Sequence, residues 1–176
     1  MATVPAEMTA VAGAILTATQ WNTNVRDAIN FILTPPMAIL KQSGSQSLAN
    51  NTWTTLTFDG EELDRDNMHN NTTNNSRATA QTAGYYDIDA IYAAPTNATG
   101  ARATRLQVNA ANVGGRSSSV MAASNFQTGV LISGPVYLNV GDYVEIQANQ
   151  LSGGALSTTN LGDTACILTA RWISTA

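Results

Sequence analysis

Charged side chains are scarce in this sequence: 8 Lys and Arg and 12 Asp and Glu among 176 residues, 11% of the chain. An ordinary soluble protein carries roughly 25%. Ala, Thr, Asn, Ser and Gly fill the gap. A monomer with so few charges is poorly protected against self-association, so the composition points to a chain that buries much of its surface in an assembly. The basic residues form no cluster, and the net charge is −4. A nucleic-acid footprint is therefore missing. Cys166 is the only cysteine, which excludes an internal disulfide. It sits in the apolar run Ala165-Cys166-Ile167-Leu168 and reads as a small core residue. His69 is the only histidine, so Ser-His-Asp, His-metal and His-base chemistry has a single candidate, in a loop (Asn67-Met68-His69-Asn70) where solvent exposure is expected. No Gly-rich phosphate loop or nucleophile motif occurs, and neither enzymatic activity nor a cofactor is expected. Nothing approaches a membrane span. Residues 1–16 lack the basic start and long apolar stretch of a secretory signal.

What is present divides into three parts. Residues 1–16 are small, apolar and uncharged except at Glu7, and read as an extended arm. A helix is expected over 18–33. Thr17 is its N-cap and Gln20 completes a capping box. Trp21, Val25, Ala28 and Ile32 recur at spacings of 4, 3 and 4, which gives one apolar stripe, with Asn22, Asn24, Arg26, Asp27 and Asn30 between. Pro35-Pro36 ends the helix. A helix of about four turns is marginal alone in water, so the stripe must pack on its own domain, on copies of itself around a symmetry axis, or on a neighbour in a particle. The order arm, helix, Pro-Pro, β domain favours an anchoring or trimerisation helix, with the domain boundary between residues 36 and 37.

From Met37 to Ala176 the pattern is β. Strands are expected at 37–42, 52–58, 77–81, 84–93, 102–110, 119–123, 129–132, 143–148 and 164–173. Tyr86, Ile88, Ala90 and Tyr92 share one face, with Asp87 and Asp89 on the other. Leu106 and Val108 oppose Arg105, Gln107 and Asn109. Cys166, Leu168, Ala170 and Trp172 alternate with Ile167, Thr169 and Arg171. Residues 59–76 read as the longest loop, and Gly114-Gly115 and Gly153-Gly154 as turns. Many short strands between Gly-, Asn- and Ser-rich turns argue for an all-β antiparallel sandwich. Asp64-Arg65-Asp66-Asn67 alternates oxygen ligands but lacks the Gly and bidentate Glu of a calcium loop; a solvated turn is expected, and no metal. Asp87 and Asp89 read as a polar outward face rather than a carboxylate pair. Trp53, Tyr85 and Tyr86 could stack on sugars if exposed; core placement is the expectation.

Several landmarks fall into a known order. Thr82-Ala83-Gly84-Tyr85-Tyr86-Asp87-Ile88 resembles the Gly-x-Tyr strand of the globular-head superfamily shared by complement collagen-like proteins and tumour necrosis factor. Leu138-Asn139-Val140-Gly141-Asp142-Tyr143-Val144-Glu145-Ile146 resembles its Leu-x-x-Gly-Asp-x-Val strand entry, residues 164–173 its closing strand, and Phe58-Asp59 with Asp64 and Asn67 its early strand-to-loop passage. Leu161-Gly162-Asp163 departs from the family's Phe-Ser-Gly. Gly141 suits a turn at positive φ, and Asp142 can accept backbone N–H bonds there. Val144 and Ile146 then point inward, Tyr143 and Glu145 outward. The resemblance covers about residues 37–174 and implies a TNF-like jelly roll that forms a homotrimer, with Tyr85 and Tyr137 as buried trimer contacts.

Leu16-Thr17-Ala18-Thr19-Gln20-Trp21-Asn22-Thr23-Asn24-Val25-Arg26-Asp27 is similar to the opening of many phage tail-fibre and minor-tail proteins, where it precedes a docking helix. The two resemblances imply a non-enzymatic trimer on the exterior of a bacteriophage virion, made in the host cytoplasm. It would attach to other virion proteins of the tail through residues 1–36 and contact a host surface glycan. A capsid decoration or head-fibre protein is the alternative within that class, and a carbohydrate-binding module the alternative outside it. A glycan-cleaving enzyme would need a carboxylate pair in a groove, and the sequence offers none.

Overall fold

The computed structural model of the chain describes residues 2–6, 8, 9, 11–161 and 163–176. Met1, Glu7, Ala10 and Gly162 lie outside the described residues, and with them part of the arm reading and the centre of the Leu161-Gly162-Asp163 comparison. The alternating stretches become strands β1 (Met37–Lys41), β2 (Ser47–Leu48), β3 (Thr54–Thr55), β4 (Gly60–Arg65), β5 (Arg77–Thr79), β6 (Gly84–Ala94) and β7 (Ala101–Val108). They continue with β8 (Ala111–Met121), β9 (Thr128–Leu138), β10 (Tyr143–Gln150), β11 (Leu156–Ser157), β12 (Asn160–Leu161), β13 (Thr164–Ala165) and β14 (Ile167–Ser174). One sheet runs β4-β1-β14-β6-β9, and the facing sheet runs β3-β10-β7-β8 with β5 also paired to β10. Short ladders β11-β2 and β12-β13 lie beside them. All pairings described are antiparallel.

The core lies between the two sheets. Tyr86, Ile88 and Tyr92 from β6 and Leu168 and Ala170 from β14 join Leu106 from β7 and Val144 and Ile146 from β10 in one buried cluster. The inward phase expected for these strands is the one observed. Cys166 is buried in the same cluster, and that burial pushes its thiol up to about 11, so it fills space rather than reacts.

The Gly-Asp turn also forms as expected. Gly141 has φ +90°, and Asp142 accepts the Asn139 backbone N–H at 2.7 Å and the Asn109 side-chain amide at 2.8 Å. The Asn109 amide, then the Asn139 N–H, hold the Asp142 carboxyl below its usual value. The Ser43 hydroxyl and backbone N–H do the same for Asp59. A carboxyl with a lowered folded-state pKa stabilises the fold above its unfolded pKa of about 4, and that contribution is lost as pH falls through the folded value. The melting temperature is therefore expected to fall as pH drops from roughly 5 to 3, and less steeply in the double variant Asp59→Asn, Asp142→Asn. An unchanged slope in that variant would place the acid sensitivity elsewhere.

Five sequence expectations need correction. Residues 60–65, assigned to the long loop, form β4; the stretch Gly-Glu-Glu-Leu-Asp-Arg is polar on both faces because it is a sheet edge, where charge discourages further pairing. Gly114-Gly115 is not a turn but a bulge inside β8: Gly115 sits at φ +70°, where the β7–β8 register shifts between Arg105 and Gln107. The turn lies earlier, at Asn109 and Ala110, both at positive φ (50° and 63°), as a tight hairpin demands. Strand β9 runs on through Ser133-Gly134-Pro135, and the strand expected at 52–58 contracts to Thr54–Thr55. Finally, Glu145 is on the outward phase yet only 6% exposed, because Ser76 and Arg77 cover it; their hydroxyl and Nε donate to Glu145 Oε1 at 2.5 and 3.3 Å.

The helical segment starts and stops where expected. The capping box is complete: Gln20 N–H donates to Thr17 Oγ1 at 3.2 Å and Thr17 N–H donates to Gln20 Oε1 at 3.0 Å. Helix α1 (Ala18–Trp21) passes through a π-helical turn, Asn22–Arg26, into α2 (Asp27–Leu33). A π turn takes up an extra residue, which rotates α2 by about 100° relative to its place in a straight α-helix. The stripe is therefore split. Val25 and Ala28 are half-buried, whereas Trp21 and Ile32 are 55% and 74% exposed. Phe31, outside the stripe, is the residue that packs on the head, edge-to-face on Trp172 with ring centroids 4.8 Å apart. The boundary after Pro36 is bridged as well: Trp172 N–H donates to the Pro36 carbonyl at 2.9 Å. The start of the arm returns to the head, where Ala2 N–H donates to Asp66 and the Thr82 hydroxyl donates to the Ala2 carbonyl.

Candidate functional site

The outer face of the β4-β1-β14-β6-β9 sheet carries more apolar surface than a solvated face needs. Register places Ile167, Ile91 and Leu131 in one row across β14, β6 and β9. Ile39, Thr169, Asp89 and Ser133 form the next row. Ile91, Leu131, Ile167 and Thr169 line a depression of about 340 Å³, and Leu131 is 68% exposed. Further along, Asp87 meets Arg171 at 3.5 Å, so these two charges offset one another. At the far end Tyr85 lies directly opposite Tyr137, both exposed, with rings edge-to-face at 5.3 Å. The two tyrosines singled out in the sequence are thus neighbours on one accessible face. Ile91, Leu131 and Ile167 were missed. Their signal was the runs Ala90-Ile91-Tyr92, Val130-Leu131-Ile132 and Cys166-Ile167-Leu168, since apolar residues in both phases mark a strand covered on both faces.

A second apolar surface lies at the N-terminal end. Met8, Val11, Ile15 and Leu16 of the arm are exposed, as are Trp21, Ile29, Ile32 and Leu33 of the helical segment. Exposed apolar surface of this extent is a feature of interaction sites.

The residues weighed for chemistry are occupied structurally. His69 is half-buried rather than solvent-exposed; Nδ1 lies 2.9 Å from the Arg77 carbonyl and Nε2 3.2 Å from the Phe58 carbonyl. It ties the 66–76 loop to β5 and to the segment between β3 and β4. Asp64 accepts the N–H groups of Met68 and His69, at 2.8 and 3.1 Å, and Asp66 receives Ala2 N–H and the Thr82 hydroxyl. Among the described residues no cluster of three His, Cys, Asp or Glu is arranged to hold a metal. The three aromatics separate. Tyr86 is in the core, its hydroxyl donating to the Thr82 carbonyl at 2.7 Å. Tyr85 belongs to the outer face already described. Trp53, expected in the core, is instead an exposed residue on the facing sheet.

No family model matches the sequence, and no curated protein matches it. Solved structures match the shape. The globular domain of zebrafish complement 1qA protein superposes with a TM-score of 0.58 at 13% identity, over 80% of this chain and 98% of that one. Murine APRIL at pH 5.0 gives 0.57 at 11% identity, over 77% and 98%. Eiger TNF from S. frugiperda gives 0.54 at 11% identity, over 80% and 96%. The fold is thus an antiparallel jelly-roll sandwich of the tumour necrosis factor and complement globular-head type, preceded by one short N-terminal helical segment.

Proposed function

We propose that this chain is a non-enzymatic, trimeric structural subunit on the outside of a bacteriophage particle, a minor-tail or tail-fibre component attached through residues 1–36. The observation that carries the reading is the placement of uncovered apolar surface: one patch on the outer face of a sheet, a second on the arm and helix. The sheet face suits self-association. Its apolar row Ile167, Ile91 and Leu131 stands uncovered, and the sheet ends at the edge strand β9, so the edge of one copy can meet the face of the next and close a ring. The TNF-like fold supports three as the ring size. The second patch stands on the segment that is similar to phage docking helices, with Trp21 and Ile32 exposed and Val25 and Ala28 half-buried.

Light scattering at micromolar concentration is expected to give a mass near three times 18.5 kDa. Leu131→Glu should give a folded monomer with unchanged circular dichroism. The double variant Trp21→Glu, Ile32→Glu should remain trimeric and fail to join particles. A monomeric wild-type chain would overturn the trimer, and incorporation of the double variant at normal occupancy would overturn the anchor.

A further inference from the structure

We infer that the outer face of the sheet opposite the trimer surface binds an acidic carbohydrate at Trp53. The indole is 36% exposed on the outer side of the β3-β10-β7-β8 sheet, and one of its faces is capped by the Arg105 guanidinium, 4.3 Å from the ring centroid. Arg105 is fixed there. Its Nε and Nη2 both donate to Gln147 Oε1, at 2.8 and 2.6 Å, and Gln147 Nε2 donates to Thr55 Oγ1 at 3.1 Å. Register explains the array: Arg105, Gln147 and Thr55 lie opposite one another on β7, β10 and β3. The partner that orients the guanidinium is a neutral amide, and among the described residues no carboxylate forms an ion pair with it.

A groove of about 310 Å³ opens beside the ring, lined by Trp53, Ala103, Ser117, Ser118 and Ser119. Ala103 contributes only a methyl group to its floor, and the exposed Ser117 and Ser119 line it from the neighbouring strand β8. Each part matches a part of a uronic acid. The polarised C–H face of a sugar ring stacks on an aromatic face, which carries negative charge density. A carboxylate pairs with a preoriented guanidinium through charge-assisted hydrogen bonds, and sugar hydroxyls exchange bonds with serine hydroxyls. Nucleic acid also stacks and carries negative charge, but it draws affinity from many cations along its backbone; here a single arginine stands in a chain of net charge −4. The site is complete within one chain. Only its presentation in three copies, with the avidity that brings, rests on the trimer reading.

Titration calorimetry of the full chain with a galacturonic acid oligomer is the test, against the neutral galactose oligomer of equal length and against oligothymidylate. The acidic oligomer should bind at millimolar concentration or below, and the neutral one about tenfold more weakly. Trp53→Ala and Arg105→Gln alter exposed or half-exposed positions and should each weaken binding about tenfold with the melting temperature retained. Ser117→Glu, which replaces one groove hydroxyl by a carboxylate beside Arg105 and leaves the Gln147 contacts of Arg105 in place, should do the same. The monomeric Leu131→Glu variant should keep the per-site affinity, which separates failure of this site from failure of the trimer. Absence of binding, equal binding of the neutral oligomer, tighter binding of oligothymidylate, or indifference to all three site variants would overturn the proposal.

Discussion

Val144→Asp is expected to leave almost no soluble folded protein. Val144 is fully buried, paired with Val108 of β7 and Ala78 of β5, and lies in the cluster between the sheets. A carboxylate placed there without a partner costs several kcal/mol, against a total stability of about 5–15 kcal/mol for a domain. The neighbouring substitution Glu145→Ala should cost about 1–3 kcal/mol, since it strips a charged acceptor from Ser76 and Arg77 while leaving the core filled. Soluble yield and thermal melts of the two variants check this. A larger loss at residue 145 than at 144 would mean that the phase of β10 is reversed.

Gly100→Ala should be nearly as damaging, for a different reason. A Cβ at Gly100 would lie 1.8 Å from the Leu151 carbonyl oxygen, a backbone atom that cannot swing away. The corner is locked from both sides. Ala122 N–H donates to the Gly100 carbonyl and Leu151 N–H to the Ala101 carbonyl, while the buried Arg102 guanidinium donates to the carbonyls of Thr99 and Ala101 at 3.0 Å. The variant should lose more than about 4 kcal/mol in urea unfolding, beyond the range of ordinary substitutions. Gly153→Ala is the control. Gly153 also has a positive φ, +88°, but nothing lies within 4 Å of its added Cβ, so only the backbone cost of about 1–2 kcal/mol applies. Equal losses at the two sites would show that the close approach at Leu151 relaxes.

Those elements whose signals are local were readable in the chain itself. Thr17, Gln20 and the Pro35-Pro36 pair bounded the helix because caps and breakers act within a few residues. Gly141 and Asp142 announced their turn for the same reason. The π-helical turn at Asn22–Arg26 left no comparable mark, and with it the single stripe was lost. Strand β4 was hidden because an edge strand needs no apolar alternation. The cover on Glu145 comes from Ser76 and Arg77, whose proximity depends on β5 joining β10, a pairing no local pattern specifies. Of the candidate surfaces, Tyr85 and Tyr137 were legible through a family resemblance, whereas Leu131 was hidden inside an apolar run. Trp53 reads inward on hydrophobicity alone, although its position just before a two-residue strand gives alternation nothing to act on.

The way the helix joins the head has a mechanical consequence. A pull on residues ahead of Pro36 enters the head at Met37, the end of β1, which lies beside Arg171 in β14 and Arg65 in β4. Because β1 is gripped on both flanks, a pull along its axis loads the two ladders in shear, all at once, rather than unzipping them bond by bond. Phe31 against Trp172 and the Pro36–Trp172 hydrogen bond pass part of the same load directly to β14. The first and last strands of the head thus share the tension as a spliced joint, and the contacts of Ala2 with Asp66 and Thr82 give the tether a second point of fastening.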